Sequence, residues 1–371
     1  MDASAERRSD RHPCDGAPAL DELLDGVAVV ALPLRVRFRG LDVREALLLR
    51  GPAGWGEFSP FAEYDDAVAA TWLAAGVEAA WRGWPAPLRP RVAVNATVPA
   101  VPAERVPEVL ARFPGCTTAK VKVAEPGQQL RDDVARVAAV REVLAARGAG
   151  TGTGTAVRVD ANGGWSVDEA AAALEALAAG GPLQYAEQPC ASVPELVELR
   201  RRLRAAGVEV PVAADESIRR AEDPLAVVRA GAADVAVLKV PPMGGVRAVL
   251  ALAAQLREEH GVPVVLSSAL DTAVGIGAGL AAAAALPAAL PAAPTSALPS
   301  GWPGAGEPLA AGLGTGSLLA VDVAAPRPLE DGSLPVGAVE PDPELLDRHA
   351  APPERRRWWL DRLRRCHALL P

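Results

Sequence analysis

The chain of 371 residues is poor in the side chains that build soft-metal centres and disulfide frameworks, with only four cysteines and four histidines. Cys14, Cys116, Cys190 and Cys366 are scattered and form no CxxC pair. Their plain reading is reduced thiols in a cytoplasm. None of the cysteines or histidines gathers with the acidic motifs described below, so a zinc site fits poorly. Excess basic charge is also lacking: 38 Lys and Arg face 46 Asp and Glu, a formal net charge of -8, which argues against nucleic acid as the main partner. No apolar run is long enough for a membrane span. Thr272 to Leu286 comes nearest, but it is Ala-rich and stops at Pro287, so it reads as a buried helix. The opening MDASAERRSDRHPCDG has charge with no apolar core after it, so residues 1–19 are expected to be a disordered tail rather than a secretory signal.

What is present is a run of three acids at near-even intervals, each ending an apolar stretch: Asp160 in VRVDANG, Glu187 in LQYAEQP and Asp215 in VPVAADES. Lys120 and Lys122 in TTAKVKVA precede them, and Lys239 in DVAVLKVPP follows. Each step from Asp160 to Glu187, Asp215 and Lys239 is roughly one β-strand plus one α-helix, the repeat of a (β/α) barrel, whose active site sits where the strands end. One such acid alone most often caps the next helix; it is the joint spacing that points to a site. Three carboxylates there suit a hard cation such as Mg²⁺, which takes oxygen ligands and keeps positions open for water or substrate.

The lysines indicate the chemistry. Strand side chains alternate faces, so Lys120 and Lys122 point the same way, and both can face the barrel interior. Lys239 would approach from nearly the opposite side. A lysine acts as a base only after losing its proton, and a neighbouring ammonium with a divalent cation lowers its pKa. The set suits removal of a weakly acidic proton beside a carboxylate, with cations stabilising the enediolate that forms.

Together, KxK, DxN, the YAEQP acid, ADES and LKV resemble the enolase superfamily over most of the chain. Within it, FRG, GWGEFSPFAEY, NATVPA, TTAKVKVAE, YAEQPCA, AADESIRRAEDP, VLKV and SSALDTAVG most resemble the o-succinylbenzoate synthases of the actinobacterial type. The resemblance implies a modified (β/α)8 barrel with an N-terminal α+β capping domain. It implies Mg²⁺-dependent loss of water from 2-succinyl-6-hydroxy-2,4-cyclohexadiene-1-carboxylate, a step of menaquinone biosynthesis. Lys122 would be the base and then the acid, Asp160, Glu187 and Asp215 the metal ligands, and Lys239 a cation facing ring and enediolate. An N-succinylamino-acid racemase or dipeptide epimerase of the same superfamily is the alternative, because those enzymes also use opposed lysines and three carboxylates. The partner implied is a small carboxylate substrate, for a cytoplasmic monomer or small homo-oligomer without nucleic acid or membrane.

Further candidates are softer. Asn162 either contacts substrate or forms the turn with Gly163 and Gly164. Glu216 reads as a hydrogen-bond acceptor supporting the site. Ser267 and Ser268 open the loop after the seventh barrel strand, where N–H groups at the next helix start can bind a carboxylate or simply be capped. Lys120 joins the substrate contacts, and Arg37 and Arg39 in RFRG either meet the anionic end of the substrate or lie on the surface.

Val27 to Phe38 and Arg44 to Arg50 read as paired strands and Thr71 to Trp84 as a helix, together a cap of residues 20–90. Strand and helix then alternate through residues 91–320. Leu130, Val134, Val137 and Leu144 form a helical stripe. Pro287 to Pro308 reads as an exposed inserted loop and Leu309 to Leu313 as the last barrel strand. Gly148 to Thr155 lacks a GK[ST] ending and precedes a strand, so it reads as a surface loop rather than a phosphate cradle. Residues 321–371 are expected to return to the cap, with ERRRWWLDRLRR as an amphipathic helix docking its tryptophans.

Overall fold

The computed structural model describes residues 17–38, 40–148, 154–221, 223–287, 298, 302 and 308–370. Most of the expected tail, most of the Gly and Thr run, most of the 287–308 stretch and Arg39 lie outside the described residues.

The cap is a three-stranded antiparallel sheet of β1 (Ala28–Phe38), β2 (Leu41–Gly51) and β3 (Gly54–Phe58), preceded by α1 (Leu20–Leu24) and backed by α2 (Asp66–Val77). The helix expected over Thr71 to Trp84 begins five residues earlier, because the Asp65 side chain accepts from Val68 N at 2.8 Å and caps it. It ends in a π-helical turn, Glu78–Arg82, closed by Gly83 at φ 63°. The sheet and α2 meet backbone to backbone at two glycines: a Cβ on Gly56 would stand 1.9 Å from the Gly76 carbonyl oxygen. That contact explains the small residues of the GWGEF strand.

The barrel sheet is parallel. Its strands are β5 (Ala96–Val98), β6 (Thr118–Lys122), β7 (Ala156–Asp160), β8 (Tyr185–Glu187), β9 (Val212–Ala214), β10 (Val235–Lys239) and β11 (Val264–Ser267), hydrogen-bonded in chain order. The short β4 (Arg91–Ala93) pairs instead with β12 (Ser333–Pro335). The crossover helices are α3 (Val106–Ala111), α4 (Leu130–Gly148), α5 (Val167–Ala179), α6 (Val193–Ala205), α7 (Glu216–Arg219), α8 (Ala226–Arg229), α9 (Val246–Glu258) and α10 (Ala273–Ala285). The Thr272 side chain caps α10, and all but its last residue is buried, as expected of an apolar barrel helix.

The eighth barrel position differs from expectation. Instead of a strand from Leu309 to Leu313, only Ala311 and Gly312 pair, with Val94 on one side and Ser267 on the other. Ala311 N donates to Ala93 O at 2.8 Å, and Gly312 N donates to Leu266 O at 2.7 Å. The ring therefore closes through two residues. A Cβ on Gly312 would lie 2.5 Å from Ser267 Oγ, so glycine permits the close approach.

Strand alternation divides the barrel into two buried layers. Val121, Val159, Ala186, Ala214, Leu238 and Leu266 pack with the helices, whereas Tyr185, Ala213, Val235, Val237 and Val265 form a separate interior cluster. The chain then returns to the cap through α11 (Pro343–Arg348) and α12 (Pro353–His367). Trp359, Leu363 and Cys366 of α12 are buried together, and the Trp359 ring meets Phe58 edge-on at 5.7 Å. Among the described residues no helix is long and apolar enough to cross a membrane.

Candidate active site

Barrel register gathers the acids. Asp160 and Glu187 are direct partners across β7 and β8, and Asp215 follows the end of β9, the next strand. All three are buried, at 1, 1 and 0 % exposure. Lys122 pairs with Asp160 across β6 and β7, and Lys120 faces the same way two residues earlier. With the ring closed at eight positions, β10 stands four places from β6, so Lys239 faces the lysine pair across the barrel.

Each lysine meets a carboxylate. Lys120 Nζ donates to Glu187 at 2.7 and 3.0 Å and lies 3.3 Å from Asp160. Lys122 Nζ donates to Asp160 Oδ2 at 2.6 Å and to Asn162 Oδ1 at 2.5 Å. Lys239 Nζ donates to Asp215 Oδ2 at 2.5 Å.

The two neighbouring lysines differ electrostatically. Burial works against the charge of Lys120, but Glu187 and Asp160 outweigh it and hold its pKa above the ordinary value. Lys122 is driven the other way: burial, helped by the Lys120 charge, leaves its pKa below the ordinary value despite Asp160. Phe38 of the cap contributes to that covering, with its ring centre 5.2 Å from Lys122 Nζ. Among the acids, burial opposes ionisation throughout. Lys122 and Lys120 nevertheless keep Asp160 well below the usual range, and Lys239 and Arg219 keep Asp215 at about 2. Glu187 is pushed up to about 7, because burial and the charges of Asp160 and Asp215 exceed the help from Lys120.

That imbalance bears on metal binding. The donor set is all oxygen on consecutive strands, and Glu187 carries more burial and negative charge than its lysine offsets, so a hard divalent cation fits there. As arranged, the carboxylates lean toward lysines, and among the described residues no three His, Cys, Asp or Glu side chains already form a cage.

The softer candidates divide. Asn162, at φ 48°, forms the turn and also reaches the site, because its Nδ2 donates to Glu216 Oε1 at 3.4 Å. Glu216 is thus a hydrogen-bond acceptor beside the acids, and it also receives Arg219 Nη2 at 2.6 Å. Arg37 lies on the surface, 3.7 Å from Asp42. Ser267 and Ser268 are buried, and Ser268 Oγ shares a 2.6 Å hydrogen bond with Thr315 Oγ1. The helix start behind them is not open to an external carboxylate. Thr272 N and Gly275 N both donate to Glu57 Oε2 at 3.0 Å, Ala273 N donates to Asp322, and Val274 N donates to Thr272 Oγ1. Of the two readings left open for these N–H groups, capping holds, and a carboxyl group of the cap supplies it.

Sequence reading missed several supporting residues. Gln188, at φ 38°, accepts from Asp215 N and Ser217 N, both at 3.1 Å, and so fixes the third acid. Arg219 and the cap residues Phe38 and Tyr64 also touch the site. The EQP and AADESIRR motifs contain two of these, but their side-chain partners come from distant segments.

Comparison with known proteins agrees with this cap and barrel. Residues 29–80 match the family model described as Enolase N-terminal domain-like, and residues 103–313 match Enolase C-terminal domain-like. The chain is 58 % identical over 356 residues to an o-succinylbenzoate synthase of Mycolicibacterium smegmatis, covering 96 % of this chain and 99 % of that protein. It is 57 % identical over 353 residues to the o-succinylbenzoate synthase of Mycobacterium leprae, covering 95 % of each. Among solved structures, the muconate lactonizing enzyme from Pseudomonas putida superposes with a TM-score of 0.64 at 20 % identity, over 88 % of this chain and 98 % of that one. The N-succinyl Arg/Lys racemase from Bacillus cereus gives 0.64 at 16 % identity, over 88 % and 96 %. Those two likenesses concern the fold, whereas the mycobacterial matches extend over nearly the whole sequence. By that extent of identity, joined to the cap and barrel of its fold, the chain belongs to the o-succinylbenzoate synthases of the enolase superfamily.

Proposed function

We propose that the chain removes water from 2-succinyl-6-hydroxy-2,4-cyclohexadiene-1-carboxylate to form o-succinylbenzoate, by a syn elimination in which Lys122 serves as base and then as acid. The observation that carries the assignment of roles is the split between two lysines on one strand face: Lys120 is held cationic, and Lys122 is pushed toward the neutral form. A base needs a pKa near the working pH, so Lys122 is the one suited to take a carbon proton. Lys122 removes the proton from the ring carbon that bears the carboxylate. It then returns that proton to the departing hydroxyl on the same face, and formation of the aromatic ring favours the elimination. Lys239, across the barrel, supplies a positive charge to the ring and to the developing enediolate.

Asp160, Glu187 and Asp215 would hold Mg²⁺, which supplies positive charge to the substrate carboxylate when bound. Lys120, Asn162, Ser267 and Arg39 belong to the substrate contacts in this reading, and Glu216 to their support. The reading also takes residues 20–90 as cap, 91–320 as catalytic barrel and 321–371 as the segment returning to the cap, in a cytoplasmic monomer or small homo-oligomer.

A paired assay tests it. Purified protein with Mg²⁺ is followed for o-succinylbenzoate formation and for racemisation of an N-succinylamino acid. Efficient dehydration without racemisation is expected, and racemisation alone would keep the site and overturn the reaction.

A further inference from the structure

We propose that Arg219 is a positioning residue that ties the cap to Lys122 and Lys239 of the site. Its side chain is 3 % exposed, on the short α7 that follows Asp215. All three guanidinium nitrogens are engaged. Nε donates to Asp215 Oδ1 at 3.1 Å, Nη2 donates to Glu216 Oε1 at 2.6 Å, and Nη1 donates to the Tyr64 hydroxyl. Tyr64 lies between β3 and α2 of the cap, and its ring packs against Phe61 at 5.7 Å and Trp72 at 6.1 Å.

Two branches leave this hub. In one, Asp215 is held at both oxygens, Oδ1 by Arg219 and Oδ2 by Lys239 at 2.5 Å, which fixes the carboxylate plane. In the other, Glu216 Oε1 accepts from Asn162 Nδ2 at 3.4 Å, and Asn162 Oδ1 accepts from Lys122 Nζ at 2.5 Å. A planar guanidinium can hold three partners in fixed directions, which a lysine ammonium on a flexible stem cannot reproduce. The Tyr64 hydroxyl in turn holds the guanidinium, so docking of the cap and alignment of Asp215 and Lys122 become one event. Positioning of this kind acts on the rate of the bound complex more than on its formation, and a displacement of about 1 Å can cost roughly 10²-fold. The inference rests on the reading of Asp215 and Lys122 as site residues.

The experiment compares Arg219→Met, Arg219→Lys, Tyr64→Phe and the Tyr64→Phe/Arg219→Met double variant in the full chain. It measures kcat and KM for dehydration at saturating Mg²⁺, with circular dichroism to verify folding. Arg219→Met is expected to lower kcat about 100-fold with KM within about 3-fold, and Arg219→Lys to recover little of the loss. Tyr64→Phe should lower kcat about 5-fold alone and have no further effect in the Arg219→Met background. A wild-type kcat in Arg219→Met, or fully multiplicative effects in the double variant, would overturn the proposal. Should Arg219→Met fail to fold, Tyr64→Phe decides, and an unchanged kcat there overturns it as well. A separate arm measures Mn²⁺ binding by calorimetry without substrate. Loss of binding in Asp215→Asn supports the ligand reading, and wild-type affinity there overturns that reading while the coupling between Tyr64 and Arg219 is still judged by kcat.

Discussion

Two acidic clusters among the described residues do opposite things with the same side chains. At the carboxyl end of the barrel, Asp160, Glu187 and Asp215 face lysine ammonium groups at 2.5 to 2.7 Å. At the start of α10, Glu57, Asp271 and Asp322 face mostly backbone N–H groups and hydroxyls: Glu57 Oε2 accepts from Thr272 N, Thr272 Oγ1 and Gly275 N, and Glu57 Oε1 accepts from Ser59 Oγ at 2.5 Å. Backbone donors are fixed by the fold and cannot leave. Ammonium groups sit on flexible stems, can lose a proton, and can yield their carboxylates to another cation. The first cluster can therefore exchange its partners, as the proposed chemistry requires, and the second clasps the cap to the barrel.

The comparison is broken most sharply by removing a movable partner. Lys122→Ala should lower kcat by about 10³-fold or more, since it deletes the group assigned to both proton transfers. Circular dichroism and thermal unfolding should stay close to wild type, because the lost contacts are with Asp160 and Asn162 at the rim of the barrel. Activity within a few-fold of wild type would remove Lys122 as the base.

Glu57→Ala is the reciprocal experiment. It leaves several buried N–H and hydroxyl donors at the α10 start without an acceptor, at a cost of about 3 kcal/mol in unfolding free energy. Denaturant unfolding measures that loss, and a change below about 0.5 kcal/mol would mean that the clasp contributes nothing. The two variants sharpen the contrast if the first changes rate without stability and the second changes stability first.

The two clusters were unequally legible in the sequence. Each site acid ends a short apolar strand, and the strands recur at one barrel repeat, so Asp160, Glu187, Asp215 and Lys239 declare their common position by spacing alone. Lys120 and Lys122 do so by the period of two. Glu57 and Thr272 are 215 residues apart, and nothing local to GWGEF or LDTAVG states that one will cap the other. The SSALDTAVG loop accordingly left both an external carboxylate and simple capping open, and the cap supplies the carboxylate. The eighth barrel position was obscured for another reason: two bridging residues, Ala311 and Gly312, are too short a stretch to show strand periodicity. The early start of α2 was readable from Asp65, a side chain of the N-cap class, but its apolar face does not stand out because the helix is buried on most sides.

The smallest expected effect lies in the pH dependence of the clasp. Burial, with the Glu57 charge, pushes Asp271 up to about 7, while Arg44, the Ala269 N–H and Lys239 act in the other direction. Burial likewise raises Asp322 to about 6. A carboxyl group whose folded pKa is raised binds its proton more tightly in the folded chain. Its contribution to stability is therefore complete below the ordinary aspartate range and is lost as pH climbs through about 6 and about 7. Asp271→Asn, which keeps the shape and cannot ionise, should flatten the fall in unfolding free energy between about pH 4 and pH 7 by on the order of 1 kcal/mol per pH unit. Denaturant unfolding at several pH values reads this directly. If the variant keeps the wild-type slope, Asp271 does not titrate with folding, and the clasp is held by its hydrogen bonds alone. If the slope flattens, the joint between cap and barrel loosens as pH climbs toward about 7.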